Sequence, residues 1–481
     1  MSLPTVRTTI AVGTVLRLVV AATTGLGIDE SYAVAVNRPL SLSYFDHPPL
    51  VFWWSAAAEA LVGSRHPLVV RLPFVLAFAA TLALLATAAR RLHGESAARA
   101  TVLVASLAGV IGVTGATWVL PDGPLFLGLA LAALGASRAL LPAADGSPVD
   151  QTGWWLVGVG AGVAALAKYH AIFLPIGLLA FLVTTGRVQV LASWRPWVAG
   201  LVAFTMALPV FAWNVANGWA SFRFQGARAA PTGAWSPAPL AENVLGQAAW
   251  ILPWVWVPLV WAAWRAWRRG SRDAATWFWL CLALGPLVAF TGSALLGRRG
   301  LPHWQAPGYL MLTPLLGMAL ADAYDQGRTW ARMWTRWATA ATVGVATLLA
   351  TQVRLGWLPL APGHDPTRDA IPWDAAAAEL GAHRASLEVT HWMDGAKLGA
   401  SLPAGAPLPV LADDARHFRF RSFESGASGA IIVRAASRGA MDTTLQERVG
   451  AVDTLPPIVV RRRGIAMDTL YRFRRRQRPG V

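Results

Sequence analysis

The side chains able to do chemistry come in short polar strings set between long apolar runs. Asp29-Glu30 is the first. Tyr44-Phe45-Asp46-His47-Pro48-Pro49, Pro121-Asp122-Gly123-Pro124, Lys168-Tyr169-His170, Arg298-Arg299 and Pro302-His303-Trp304 follow. A carboxylate at 29 suits a general base, since partial desolvation at a membrane surface sharpens basicity. The two prolines after His47 stiffen the turn and aim the Asp46 and His47 side chains. That pair would hold a divalent cation, or His47 would hydrogen-bond a phosphate directly. Lys168, Arg298 and Arg299 would stabilise negative charge building on a phosphate leaving group. Arginine does so as a fork, lysine as a point charge. Blander roles compete. Asp29-Glu30 and Asp122 would also serve as helix caps, the arginine pair as headgroup contacts, and His303-Trp304 as an interfacial anchor.

These strings need elements to hold them, and composition says which. Of 481 residues, 55% are hydrophobic and 14% charged, and mean hydropathy is +0.46. Soluble domains carry about a quarter charged residues, so this much apolar sequence requires lipid. The 25 tryptophans fit membrane–water interfaces. The net charge of +16 sits largely in arginine clusters between apolar runs. That pattern reads as topology signal and anionic-lipid contact, not as a nucleic-acid surface. Only Lys168 and Lys397 are lysines, and the single cysteine, Cys281, excludes an internal disulfide.

At about 20 apolar residues per crossing, about eleven spans are expected. They fall at 8–26, 67–89, 98–117, 122–141, 153–168, 170–186, 195–213, 244–264, 275–296, 304–322 and 337–354. The first is read as a retained helix, not a cleaved signal. With the N-terminus in the cytoplasm, inside loops hold Arg90-Arg91, Arg187, the Arg265–Arg272 group and the Arg328–Arg336 group. The polar strings then all fall on the opposite face, which predicts one composite outer site. Ionisable groups at membrane depth are costly unless paired or hydrated, so each is a functional candidate. From 355 the composition turns polar. Short β-branched runs near 387–390, 431–433 and 458–460 predict strands, and Pro372-Trp373-Asp374 a helix start. Residues 1–354 are thus expected to form a transmembrane catalytic domain and 355–481 a small α/β domain outside the cytoplasm. The arginines at 474–476 and 478 form either a solvated tail or a contact to anionic lipid.

The strings, in this order, resemble the GT-C superfamily of polyprenyl-phosphate-dependent glycosyltransferases. The branch they are most similar to holds the dolichyl-phosphate-mannose protein mannosyltransferases and the bacterial aminoarabinose transferases. The resemblance is carried by DESYAVAVNRPLSLSYFDHPPLVFWW from Asp29, PDGPLFLG from Pro121, AKYHAIFLP from Ala167 and PHWQAPGYL from Pro302. It implies an all-α, GT-C-like polytopic fold. It also implies inverting transfer of a sugar from a polyprenyl phosphate, undecaprenyl or a related lipid, to an envelope acceptor outside a bacterial cytoplasmic membrane. Asp29 and Asp122 would be catalytic. Glu30, Tyr44, Asp46, His47, Lys168, Tyr169, Arg298, Arg299 and His303 would bind substrate, His47 as a contact to the lipid phosphate or to a divalent cation. Ser43 stands where glycine is common in such proteins. A transporter or lipid flippase is the competing class. It would place charges near mid-bilayer and pair broken helices across two halves.

Overall fold

The computed structural model describes residues 3–230, 233, 235–298, 300–381, 386–421 and 425–476. The chain divides into two compact units. One comprises Met1–Val19, His47–Leu50 and Leu72–Ala346; the other comprises Val20–Asp46, Val51–Arg71 and Thr347–Val481.

The first unit is helical. Among the described residues, six helices are long and apolar enough to cross a membrane. They are Val6–Thr23, Pro67–Leu107, Asp122–Leu140, Trp194–Ala216, Ala274–Leu295 and Thr329–Leu355. A seventh crossing results if Pro237–Ile251 and the helix after it, bent by 109°, count as one span. The expected count of eleven is therefore not reached. Pro67–Leu107 is two helices that meet at a kink at Gly94, whose φ of 85° and ψ of 178° leave the helical region; the expected span 67–89 lies before the kink and the first half of 98–117 after it. The pair expected at 153–168 and 170–186 is the 15-residue helix Gly153–Ala167 and the 12-residue helix Phe173–Thr184, each shorter than the usual crossing. The span expected at 304–322 is Ala306–Asp325.

Small residues set the closest packing here. Helix Asp122–Leu140 runs antiparallel to Gly153–Ala167, with Gly128 opposite Gly160 and Gly135 opposite Gly153. A Cβ on Gly128 would lie 2.6 Å from the Gly160 carbonyl oxygen, and one on Gly160 would lie 2.6 Å from that of Gly128. Backbones approach this closely only where side chains are missing, a common device between helices in lipid. The consequence is positional: the start of the first helix and the end of the second are held at the same level.

In the second unit a four-stranded sheet is built from β1 (Leu387–Val389), β2 (Ile431–Ala435), β3 (Val452–Arg462) and β4 (Ile465–Arg475), in the order β1-β2-β4-β3. Strands β1 and β2 are parallel and the remaining pairs antiparallel. Arg463 and Gly464, both with positive φ, close the β3–β4 hairpin, the geometry that matches strand twist. Leu380, Leu398, Ile431, Val433 and Leu470 form the centre of an apolar core. The three expected strand runs are all present, and the expected helix start at 372–374 opens helix Asp374–Gly381. Arg474 and Arg475 belong to β4, whereas position 478 lies outside the described residues. The same unit includes two helices near the N-terminus, Ile28–Val36 and Leu50–Val62, though Leu50 itself groups with the first unit. Helix Ile28–Val36 packs on Trp392–Ser401.

Candidate active site

In the second unit, helix Ile28–Val36 carries Asp29 and Glu30, and the two carboxylates have opposite fates. Glu30 is buried. Its Oε1 accepts from Arg71 Nε (2.7 Å), and its Oε2 accepts from Arg71 Nη2 (2.6 Å) and from the Gly27 amide (2.9 Å). The Arg71 guanidinium also donates to the carbonyls of Ala21, Thr24 and Gly25. One step along the helix turns the next side chain by about 100°. Asp29 accordingly faces outward and is exposed, not partly desolvated as expected. Glu30 is committed to holding the helix start, which places it in the scaffold instead of on a substrate-facing surface.

The Tyr44-Phe45-Asp46 segment is buried. The Tyr44 ring stacks on Phe52 at 3.7 Å between centroids, and its hydroxyl accepts from the Ser41 amide. Tyr44 therefore packs beneath the loop and does not present itself to a substrate. Asp46 Oδ1 accepts from the Tyr32 hydroxyl at 3.1 Å, and Arg416 Nη1 lies 3.7 Å from Oδ2. Burial raises the Asp46 pKa to about 6; Arg416 and the Tyr32 bond oppose that rise, and nearby Asp29 adds to it.

The turn Arg416–Phe420 was not singled out from sequence. His417 Nδ1 accepts from the Phe45 amide, and the His417 amide donates to the Tyr32 hydroxyl. Burial lowers the His417 pKa to about 3, so this imidazole is neutral and able to accept. Arg416 stacks over Trp392 and Arg419 over Phe45. The dense alternation of cations and aromatics in Arg416-His417-Phe418-Arg419-Phe420 was the available signal.

In the first unit, Asp122 opens its helix and Lys168 follows the end of Gly153–Ala167. The glycine-packed crossing brings them together. Lys168 Nζ donates to both Asp122 oxygens at 2.9 Å, and both side chains are at most 10% exposed. An ammonium has three hydrogens, whereas these bonds have a single carboxylate as their acceptor. His170 and His303 interact electrostatically with Lys168; His47 interacts with His170, and Arg228 with both His170 and His303. Tyr169 is hydrogen-bonded to Ser221 through their hydroxyls. His303 sits in the short turn Pro302–Gln305, its ring 5.7 Å from that of Trp250.

Arg298 is used differently from the expectation. Its Nε donates to the Arg228 carbonyl at 2.8 Å and its Nη2 to the Ala227 carbonyl. It thus caps the end of helix Ala220–Ala229, where unpaired carbonyls favour a cation. Arg228, missed from sequence, stacks over Trp304. Arg299 lies outside the described residues. Among the described residues, no group of three His, Cys, Asp or Glu side chains is placed to hold a metal ion.

A many-helix unit with a buried lysine–aspartate pair and gathered imidazoles, and a second unit with a small mixed sheet, define a multi-pass membrane protein that shares its fold with two solved structures. Residues 46–213 match the family model described as dolichyl-phosphate-mannose-protein mannosyltransferase. The chain is similar to ArnT from Cupriavidus metallidurans in the apo state, at 18% identity and a TM-score of 0.66, over 97% of each chain. It is also similar to the same ArnT bound to undecaprenyl phosphate, at 18% identity and a TM-score of 0.62, again over 97% of each. No curated protein matches it in sequence.

Proposed function

We propose that this protein is an inverting glycosyltransferase that moves a sugar from a polyprenyl phosphate to a cell-envelope acceptor. The transfer takes place at the outer face of a bacterial cytoplasmic membrane. The observation that carries the reading is the Lys168–Asp122 pair, held inside the family-matched stretch with His170 and His303 around it. A lipid phosphate needs cationic donors that are already oriented, because reorganising them during bond cleavage would raise the barrier. Asp122 orients the Lys168 ammonium, and Lys168, His47 and His303 meet the phosphate.

Asp29 takes the proton from the acceptor hydroxyl. Asp29 is exposed in the first turn of its helix, where an acceptor hydroxyl can reach it. The acceptor oxygen attacks the anomeric carbon from the face opposite the phosphate, and the phosphate leaves with the bonding pair. Residues 1–354 carry the transmembrane part of this machinery and 355–481 a domain outside the cytoplasm. The ArnT that binds undecaprenyl phosphate supports a donor of that chemistry here.

The test is transfer in nanodiscs from a panel of labelled sugars on undecaprenyl phosphate, presented with envelope extracts as acceptor. Asp29→Asn should abolish turnover and retain donor binding. Lys168→Ala should weaken donor binding. Unchanged transfer by Asp29→Asn would remove the base assignment.

A further inference from the structure

Both lysines of this arginine-rich chain are buried, and only Lys168 has been given a task. Lys397 lies on helix Trp392–Ser401 in the second unit and is 4% exposed. Its Nζ donates to the Leu26 carbonyl at 2.9 Å and to the Asp369 carbonyl at 2.8 Å. Leu26 stands three residues before Asp29, and Gly27, between them, caps the helix that bears Asp29.

We infer that Lys397 is a positioning residue for Asp29, its ammonium fixing the turn from which helix Ile28–Val36 starts. The inference rests on the reading of Asp29 as the base.

The helix is held at three points of different kinds. Glu30 and Arg71 lock its first turn. Arg65 Nη2 donates to the Val34 carbonyl, while Nη1 donates to the Gly399 and Leu402 carbonyls. Gly399 meets Ala35 so closely that a Cβ there would lie 2.7 Å from the Ala35 Cβ. Those contacts hold the body of the helix. Lys397 holds the carbonyl that precedes it, and thereby the direction in which the first turn faces. A methionine would fill similar volume but leave the buried Leu26 carbonyl and the partly buried Asp369 carbonyl without this donor. An arginine carries its charge on a longer planar fork, which does not superpose on a compact ammonium.

The charges facing Lys397 are mixed. Asp369, Glu30 and Asp374 attract it, and Arg71 repels it. Arg368, Arg438 and Asp468 line the same small cleft as Lys397, together with Ile28 and Trp373. Burial dominates and lowers the Lys397 pKa from 10.5 to about 8. The charge that strengthens both carbonyl bonds is therefore present below pH 8 and lost above it.

The experiment measures kcat and donor KM between pH 6.5 and 9.5 in nanodiscs, using undecaprenyl-phosphate-linked sugars. It compares wild type, Lys397→Met, Lys397→Arg and Asp29→Asn. Wild type should show a falling limb in kcat centred about pH 8. Lys397→Met should lose roughly 10- to 100-fold in kcat, the scale of a small misplacement of a reacting group, with donor KM little changed. The limb should be absent from its residual rate, and Lys397→Arg should not restore kcat. A lower melting temperature with the limb intact would indicate mere structural support and overturn the inference, as would wild-type kcat in Lys397→Met. If Lys397→Met does not fold, hydrogen exchange of the wild-type amides at 27–31 replaces it. Protection, corrected for intrinsic rate, should fall across pH 7–9; constant protection would overturn the proposal. Inactive Asp29→Asn beside unaffected Lys397→Met rejects the positioning role alone. Active Asp29→Asn rejects the catalytic reading itself.

Discussion

Two buried cation–carboxylate pairs, one in each unit, are built on different principles. Arg71–Glu30 is saturated: the guanidinium spreads its hydrogens over both carboxylate oxygens and three backbone carbonyls, and Glu30 also takes the Gly27 amide. Lys168–Asp122 is spare. One ammonium faces one carboxylate, and the charged or ionisable neighbours it senses include the His170 and His303 imidazoles. A saturated pair serves stability. A spare pair keeps a directional cation ready for a further anion. The difference follows from side-chain shape, since a planar five-donor fork suits a fixed scaffold and a compact point charge suits a site that changes partners.

Removing one partner from each pair sharpens this contrast. Arg71→Met should cost the most, about 3–5 kcal/mol, because it strands a buried carboxylate and three carbonyls. Thermal unfolding in detergent or nanodiscs would record it, and Glu30→Gln should recover part of the loss in the double variant. Lys168→Met strands only Asp122 and should cost about 3 kcal/mol, the lower end of that range. Here Lys168→Met with Asp122→Asn should restore most of the melting temperature and none of the sugar transfer. Recovery of both stability and transfer in that double variant would break the distinction between scaffold and site.

A milder perturbation acts through the backbone. Gly160→Ala forces a methyl to within 2.5 Å of the Ala132 nitrogen, between the two helices that present Asp122 and Lys168. The strain should cost about 1–3 kcal/mol and lower transfer more than donor binding. An effect confined to stability would mean that the pair tolerates a shift in helix spacing.

The smallest effect concerns Asp46, a buried carboxylate between the two extremes, with Arg416 nearby but not in tight contact. Its folded pKa is raised to about 6 from an ordinary 3.8, so the folded protein binds more protons than the unfolded one between those values. Stability should therefore fall as pH rises from about 4 to 6, by roughly 1–3 kcal/mol at most. Asp46→Asn should flatten that slope. A slope unchanged in Asp46→Asn would assign it to other groups.

Much of this architecture was readable from residue type alone. Apolar runs foretold helices, β-branched runs foretold three strands, and Asp29, Asp122, Lys168 and His303 stood out as polar groups in an apolar chain. Partnership was not readable. Arg71 and Glu30 lie 41 positions apart, and Lys168 and Asp122 lie 46 apart; no periodicity links them. Arg71 falls inside an expected apolar span, where an ionisable group is costly, and that cost was the overlooked sign. Arg298 looked like a phosphate ligand because sequence shows charge but not the carbonyls it caps. The count of eleven is not borne out by helix length, because hydropathy does not show that Gly153–Ala167 is only 15 residues, about four turns, long.

The second unit is assembled from Val20–Asp46, Val51–Arg71 and Thr347–Val481, so its earliest pieces must wait for its last. At typical synthesis speeds the intervening stretch of about 275 residues takes roughly 15–55 s to emerge from a ribosome. During that interval the Asp29 segment has neither Lys397 nor His417 to lean on. Biogenesis would thus delay competence until translation ends, and a chain arrested in the late helices would be inserted yet inert.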